Sequence, residues 1–501
     1  MLLGPIKFFR NYNLALLLVA IFISHLIIAA LWPLLDPSES RYALVSKLMS
    51  ESNDYVLPQI ISPHGKVEPF LAKPPLFFWL NSFYYEAFGF SNFTSRLPSI
   101  LVTALTLLVT FVTVKSYCDR QTAMRSVIIL SSMGLFYGFS RACQIDMLLT
   151  FFYFSASLIL FTLLQIKTPS HLEKTLSALL GLFTGLGFLT KGPLIAALLM
   201  MILGLWFFIR SDYSVLRRIH WPLLSLTAGL IIIPWFTLLE LRFHGAVKYF
   251  ILQENLGRFL NSQYGDRYGT GHPHWYGTIW LYALIASLPW GLIAGIKLIQ
   301  SMPKWGSVLS LQLLQQLRAQ PPFITFCVIC AIVPLCFFTF SRNILIAYVL
   351  PGIPALAVLL ALSLEHLSRR QFFYFASSSV SALLIFSLLA LPHLNSAASL
   401  ETAMLRIHEY AAKNSPGGRI ELNFPFGSPA SVHLQNSYVL ESSFDEIISE
   451  TVASHPEYVL VKQRDRQKLK AMLDTKDRKY TERLLPLFSE GKWSVYQRIW
   501  Q

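Results

Sequence analysis

The chain has 501 residues, of which 54% are hydrophobic and 14% charged, and its 41 Lys and Arg outnumber its 27 Asp and Glu for a formal net charge of +14. So apolar and charge-poor a composition excludes an ordinary soluble globular domain. Runs of roughly 17–25 apolar residues recur, each long enough to cross a hydrocarbon core of about 30 Å, and lipid forces such runs to be helices because it offers no partners to open backbone groups.

The chain is therefore read as a polytopic α-helical membrane protein. Its first run, Leu14 to Leu35, follows Lys7 and Arg10 and lacks a small-x-small cleavage site before Asp36. It is longer than a typical signal-peptide core and reads as a retained anchor. Further spans are predicted at Leu97–Val114, Ala123–Phe139, Met147–Leu164, Leu176–Leu189, Leu194–Ile209 and Trp221–Leu241. Trp275–Ile296, Phe323–Phe340, Ile344–Leu364 and Phe372–Leu391 follow, for about 11–13 transmembrane helices in all. Cys327 and Cys330 have a C-x-x-C spacing inside one of these runs, with no second pair, and read as buried thiols.

Short-loop Lys and Arg set the orientation. Lys7 and Arg10, then Lys115, Arg120 and Arg125, then Lys167 and Lys174, fall on one side, joined by Arg210, Arg217, Arg218, Lys297, Lys304, Arg318, Arg369 and Arg370. The short opposite turns carry single basics, Arg141, Lys191 and Arg342. The N-terminus is thus predicted cytoplasmic, and the basic excess is topological rather than a nucleic-acid footprint. Residues 1–393 form the membrane domain. Residues 394–501, with apolar segments at Tyr458–Val461 and Trp493–Tyr496, a charged helical stretch at Arg464–Leu473 and a loop at Asn414–Gly418, are read as a small soluble α/β domain on the outer side.

Asp36, Glu39, Arg41, Lys73, Arg96, Asp146, Lys191, His272, His274 and Arg342 all fall on that outer side. Ionisable groups at a membrane boundary are costly unless paired or hydrated, so their recurrence on one face points to function, although single Lys and Arg residues there also snorkel. Two long outer loops, 36–96 and 242–274, carry most of them. Within the first, Leu44, Val45, Leu48 and Met49 oppose Ser46, Lys47 and Ser50, the pattern of an interfacial helix. A second, aromatic helix is expected at Leu76–Phe88, entered through Lys73-Pro74-Pro75. Asp36, Pro37 and Glu39 suit the N-cap, N1 and N3 positions of a helix over Ser38–Ser50, so local chemistry leaves cap and catalyst both open.

Asp36-Pro37-Ser38-Glu39-Ser40-Arg41-Tyr42-Ala43, Asn53-Asp54-Tyr55-Val56-Leu57-Pro58 and Ala72-Lys73-Pro74-Pro75-Leu76-Phe77-Phe78-Trp79 stand in that order, with Phe88-Gly89-Phe90 and Arg96-Leu97-Pro98-Ser99 behind them. Asp146-Met147, Leu189-Thr190-Lys191-Gly192-Pro193, His272-Pro273-His274-Trp275-Tyr276, Leu288-Pro289-Trp290, Ser341-Arg342 and Tyr348-Val349-Leu350-Pro351 continue the series. From Asp36 to about Pro354 the chain resembles the bacterial ArnT-like membrane glycosyltransferases, related to lipid A aminoarabinose transferase and to protein O-mannosyltransferases. The resemblance implies a GT-C fold with interfacial periplasmic helices. It implies transfer, with inversion, of a sugar from an undecaprenyl or other polyprenyl phosphate carrier to a lipid (lipid A-like), glycan or protein acceptor on the periplasmic face of a bacterial inner membrane. It places Lys73, Lys191, Arg342 and Arg41 at the donor phosphate, and Asp36, Glu39 and Asp146 as candidates for the base that takes the acceptor's proton.

Two departures from the family pattern stand out. Asp-Glu before x-Arg-Tyr is here Ser38-Glu39, with Asp36 two residues upstream, which leaves the base open. The residue before Lys73, often a metal-binding Glu in aminoarabinose transferases, is Ala72. No cofactor is required by this reading; a divalent metal stays open, with His272 and His274 as acceptor-side or metal candidates that lack a carboxylate partner. The partners expected are the lipid-linked donor, the acceptor and membrane lipids, with no nucleic acid. The alternative is a transporter or flippase of a polyprenyl-linked sugar or lipid, whose site would lie at the bilayer midplane between repeats; no repeat is visible.

Overall fold

The computed structural model describes residues 4–390 apart from 36, 63–65, 166–170, 214, 262–271 and 302–314; beyond 390 it describes five strands and scattered helical residues. Asp36, Lys167, Lys304, the loop at Asn414–Gly418 and nearly all of the stretch 464–473 lie outside the described residues. Two compact units divide the chain: Met1–Ala29 with Leu71–Leu80 and Arg96–Leu384, and Ala30–Phe70 with Asn81–Ser95 and Ile385–Gln501.

The first unit is a bundle of helices. In chain order it takes in most of α1 (Gly4–Leu31), the start of α3 (Leu76–Phe88), then α4 (Leu97–Tyr117), α5 (Arg120–Ser132) and α6 (Gly134–Phe139). Next come α7 (Asp146–Gln165), α8 (His171–Lys191), α9 (Leu194–Arg210), α10 (Trp221–Arg242), α11 (Thr278–Ala286) and α12 (Trp290–Ser301). The series ends with α13 (Pro322–Thr339), α14 (Ile353–Ser363) and α15 (Arg369–Ile385). Among the described residues, eight helices are long and apolar enough to cross a membrane. Three expected spans fall on shorter pieces. Leu194–Arg210 has 17 residues, Ala123–Phe139 breaks where Met133 turns extended between α5 and α6, and Trp275–Ile296 breaks between α11 and α12. Hydropathy records how apolar a run is and carries no mark of a break in the middle.

Local chemistry explains how these helices sit in so apolar a bundle. Thr103, Thr106 and Thr110 of α4 each return their hydroxyl to the carbonyl four residues back, which satisfies a buried polar group without an outside partner. Asp119 caps α5 by accepting from the N–H groups of Gln121 and Thr122, at 2.6 and 3.0 Å. Arg125 closes the far end of α14 by donating to the carbonyls of Leu364 and Leu367. Gly181 and Gly185 bring α8 against α10: a Cβ at Gly181 would collide with the Leu224 carbonyl and the Thr227 hydroxyl. Cys327 and Cys330 are buried free thiols inside α13.

The second unit contains α2 (Ser38–Ser52), the end of α3, and two sheets. β1 (Gln59–Ile61) and β2 (Val67–Pro69) pair as a small antiparallel ribbon. β3 (Glu421–Asn423), β4 (Val439–Glu441), β5 (Glu457–Lys462), β6 (Leu484–Glu490) and β7 (Trp493–Arg498) form one mixed sheet in the order β4-β3-β5-β7-β6. The two apolar segments picked out in the tail are its central antiparallel pair, with Leu460 opposite Val495.

Helix α2 departs from expectation in two ways. Its first residue is Ser38 with Pro37 before it at the N-cap position, and the carboxylate of Glu39 reaches back to accept from the Leu35 N–H at 2.9 Å. Its polar side is not solvated either, since Ser46 and Lys47 are buried along with Leu44, Val45 and Met49. Ser82 donates to the Ser46 carbonyl, and Lys47 lies 5.3 Å from the Phe90 ring centroid and 3.7 Å from Glu51. A helix packed on both sides replaces the amphipathic one that periodicity predicts.

Candidate active site

Lys73 and Lys191 line one cavity of about 460 Å³ in the helical unit. Lys73 sits in the bend before Pro74-Pro75, and its ammonium donates to the Ala72 carbonyl at 2.8 Å. Lys191 is the last residue of α8, where a cation is favoured by the carbonyl end of the helix dipole. Gly192 follows at φ +77°, the left-handed conformation that ends the helix at little cost only without a Cβ. A Cβ there would also stand 2.7 Å from the Phe250 ring, so this glycine sets how closely the Lys191 turn approaches the next wall of the cavity.

Asp146 opens α7, where the N–H end of the dipole favours a carboxylate. It lies behind Lys191: their Nζ–Oδ1 distance is 2.6 Å, and the ammonium also sits 4.5 Å from the Tyr348 ring centroid. Both side chains are about nine-tenths buried, so each charge compensates the other where water is scarce.

The opposite wall was not anticipated. The π-helix Tyr249–Gly257 and the adjoining Arg258 place Glu254 and Arg258 on the cavity, within the stretch that reads as a loop in sequence. The Glu254 side chain is 1% exposed, with one carboxylate oxygen 3.5 Å from Arg258 Nη1 and 3.8 Å from Lys73 Nζ. Its other oxygen accepts from the Tyr249 hydroxyl at 3.1 Å. Among the described residues the lining thus carries three cations, Lys73, Lys191 and Arg258, against one anion, Glu254, with Tyr348, Asn255, Asn343 and Ser341 as neutral polar groups. Leu194, Ala197, Ile251, Phe259 and Phe337 make much of the rest apolar. The signal available in sequence was Glu254 and Arg258 four apart inside the apolar run Tyr249–Leu260.

The histidine motif joins this wall through the backbone. Pro273 bridges Asn343, the His274 N–H donates to the Arg342 carbonyl at 2.8 Å, and the Ile344 N–H donates to the His272 carbonyl at 3.1 Å. Asn343 then donates to the carbonyls of Arg258 and Asn261, both at 2.7 Å. Arg342 itself stacks on Tyr276 at 4.1 Å and is not a lining residue, whereas its neighbours Ser341 and Asn343 are. His274 Nε2 meets the Tyr282 hydroxyl at 3.2 Å. Among the described residues no three His, Cys, Asp or Glu side chains gather as possible metal ligands. Of the remaining candidates, Glu39 and Arg41 belong to the second unit, Glu39 being buried there on the Leu35 N–H.

Comparison with known proteins bears on the same stretches. The family model described as dolichyl-phosphate-mannose-protein mannosyltransferase matches residues 72–237, which contain Lys73, Asp146 and Lys191. An undecaprenyl phosphate-alpha-4-amino-4-deoxy-L-arabinose arabinosyl transferase of Aeromonas salmonicida is 28% identical over 66% of this chain and 56% of its own length. The enzyme of the same name from Pseudomonas paraeruginosa is 28% identical over 72% of the chain and 61% of its own. The chain thus spans little more than half of these relatives. In structure it is similar to ArnT from Cupriavidus metallidurans bound to undecaprenyl phosphate, with a TM-score of 0.73 at 17% identity, covering 96% of this chain and 97% of that one. It is also similar, at a TM-score of 0.50 and 12% identity, to the oligosaccharyltransferase AglB of Archaeoglobus fulgidus, over 95% of this chain and 73% of that one.

Proposed function

From the premise that this chain is an ArnT-like, multi-pass membrane protein of GT-C fold, we propose that it is a glycosyltransferase. It moves a sugar from an undecaprenyl or other polyprenyl phosphate to a lipid A-like lipid, a glycan or a protein at the periplasmic face of a bacterial inner membrane. The N-terminus is cytoplasmic and residues 394–501 form a periplasmic domain. The single observation that carries this reading is the cavity whose described lining sets three cations against one anion beside an apolar wall. That is the complement of a phosphate attached to a hydrocarbon chain.

The chemistry follows from the lining. Lys73 and Arg258 hold the phosphodiester from one side and Lys191 from the other, and the apolar wall takes the first isoprene units. The acceptor hydroxyl oxygen attacks the anomeric carbon and the carbon–oxygen bond to phosphate breaks, with its electron pair leaving on the phosphate. A single displacement inverts the configuration. The cations act where that negative charge develops, which is the most effective place for fixed electrostatics. The hydroxyl proton passes to a carboxylate. The Asp146 carboxylate is engaged by the Lys191 ammonium at 2.6 Å, so we assign Asp146 to positioning Lys191.

Transfer by the purified full-length protein, from a synthetic undecaprenyl phosphate-linked sugar to extracted lipid A, tests this reading. Wild-type protein is expected to form glycosylated product and Lys73→Ala to form about 10²–10³-fold less at equal abundance. Movement of the donor across vesicles without product in any assay would replace this reading by the transporter.

A further inference from the structure

Glu254 is the only Asp or Glu in the cavity lining among the described residues, and the displacement above does not use it. Its oxygen nearest the two cations accepts no hydrogen bond from the described residues, although it is buried. Distances of 3.5 and 3.8 Å leave it within Coulombic reach of Arg258 and Lys73 without locking it to either. A carboxylate so placed occupies, in charge, the position that a phosphate takes between the same two cations.

The reaction changes the charge that the cavity must hold. A phosphodiester donor carries one negative charge; the phosphate monoester left after transfer has a second pKa of about 6 and carries about −1.5 to −2 at neutral pH. Product therefore binds three cations more tightly than donor does, and a cavity of cations alone would be trapped by its own product. Coulomb repulsion grows with the product of the charges, so a fixed carboxylate opposes the monoester more than the diester. Resting on the donor-phosphate reading above, we propose that Glu254 is a positioning residue that balances Lys73 and Arg258 before donor binds and drives out the phosphate monoester after transfer. No bond forms to Glu254. It exchanges partners with the phosphate and takes the cations back as the product leaves.

The test uses full-length protein in nanodiscs with two probes, undecaprenyl phosphate and its monomethyl ester, which has the donor's charge. Glu254→Gln keeps the shape, and Glu254→Met keeps the volume with no polar group; they are read side by side. Either variant is expected to tighten the monoester about tenfold and the diester clearly less. In turnover, the KM for donor and kcat both fall and inhibition by added undecaprenyl phosphate strengthens, while Glu254→Asp stays near wild type. An unchanged affinity ratio between the probes, or weaker binding of both, overturns the proposal. So does failure of both variants to fold, which would make Glu254 a structural counter-ion. Lys73→Gln separates the two readings. If the wild type binds both probes and Lys73→Gln weakens them, the donor site stands whatever Glu254 does. If the wild type binds neither, both fall together.

Discussion

Two ionic arrangements bound the same cavity and are built differently. Asp146 and Lys191 meet at 2.6 Å, one anion to one cation, each on the helix terminus whose dipole favours its charge. Glu254 faces Lys73 and Arg258 at 3.8 and 3.5 Å, one anion to two cations, and it comes from a π-helix. The first pair is closed and neutral, and its strength goes into fixing Lys191. The second is open and, among the described residues, sets two cations against one anion at distances that an incoming anion can compete for. In the proposed donor site, binding an anion and holding a cation still are separate tasks, and the two walls divide them.

Removing one of the open side's two cations is the largest way to break that comparison. Lys73→Ala is expected to lower transfer by about 10²–10³-fold with unchanged abundance, as loss of one fixed transition-state donor typically does, and a radiolabelled transfer assay reads it. On the closed side, Asp146→Asn leaves Lys191 buried without its counter-charge. It should lower both turnover and thermal stability, by about 3 kcal/mol for the latter. Asp146→Asn combined with Lys191→Met is expected to recover the melting temperature but not the activity, because a strut is replaced while a phosphate ligand is lost. Recovery of both would reduce the closed pair to packing.

Smaller changes sharpen the contrast. Gly192→Ala imposes a Cβ on a left-handed residue against Phe250, at a cost of about 1–2 kcal/mol, and shifts Lys191 relative to the π-helix wall. Donor affinity should fall with it more than phosphate-independent stability does. Smallest is Asp119, remote from the cavity. The Thr122 hydroxyl and then the Thr122 N–H hold its carboxyl below the usual carboxylate range. A depressed folded pKa means that its contribution is present above the unfolded value of about 3.9 and is lost as pH falls through the lower folded value. Asp119→Ala should cost about 1 kcal/mol at neutral pH, whereas Asp119→Asn keeps the cap and removes that acid sensitivity. Thermal melts at pH 7 and pH 3 read both, with activity at neutral pH unchanged for the Asn variant.

Much of the fold was legible because membrane helices write themselves as long apolar runs. The helix Leu76–Phe88 has the bounds expected from its aromatic run after two prolines, and the Tyr458 and Trp493 segments pair as expected of apolar strands. The breaks at Met133 and between α11 and α12 were passed over because a hydropathy window averages across them, although Ser131, Ser132 and Gly134 at the first and Pro289 at the second mark them in the sequence. Lys73, Asp146 and Lys191 were readable because charge at the end of an apolar run is conspicuous. That Lys191 turns onto Asp146 was not, because 45 residues separate them and only the α7 and α8 packing brings them together. Glu254 and Arg258 were missed for another reason. A π-helix has no distinctive periodicity, so its stretch reads as connecting loop and its i, i+4 pair as surface charge. The cap reading of Glu39 was close in kind but not in partner: its carboxylate meets a backbone N–H upstream, at Leu35.

The central claim is that the three-cation cavity takes a polyprenyl phosphate and passes its sugar on. Mass spectrometry of lipid-linked sugars and surface glycans, comparing the parent strain with one carrying Lys73→Ala at the native locus, tests it most directly. The account predicts that one undecaprenyl phosphate-linked sugar accumulates while one glycan, lipid or protein loses a matching mass. Identical lipid-linked and acceptor profiles in the two strains, with the variant protein present in the membrane, would contradict it.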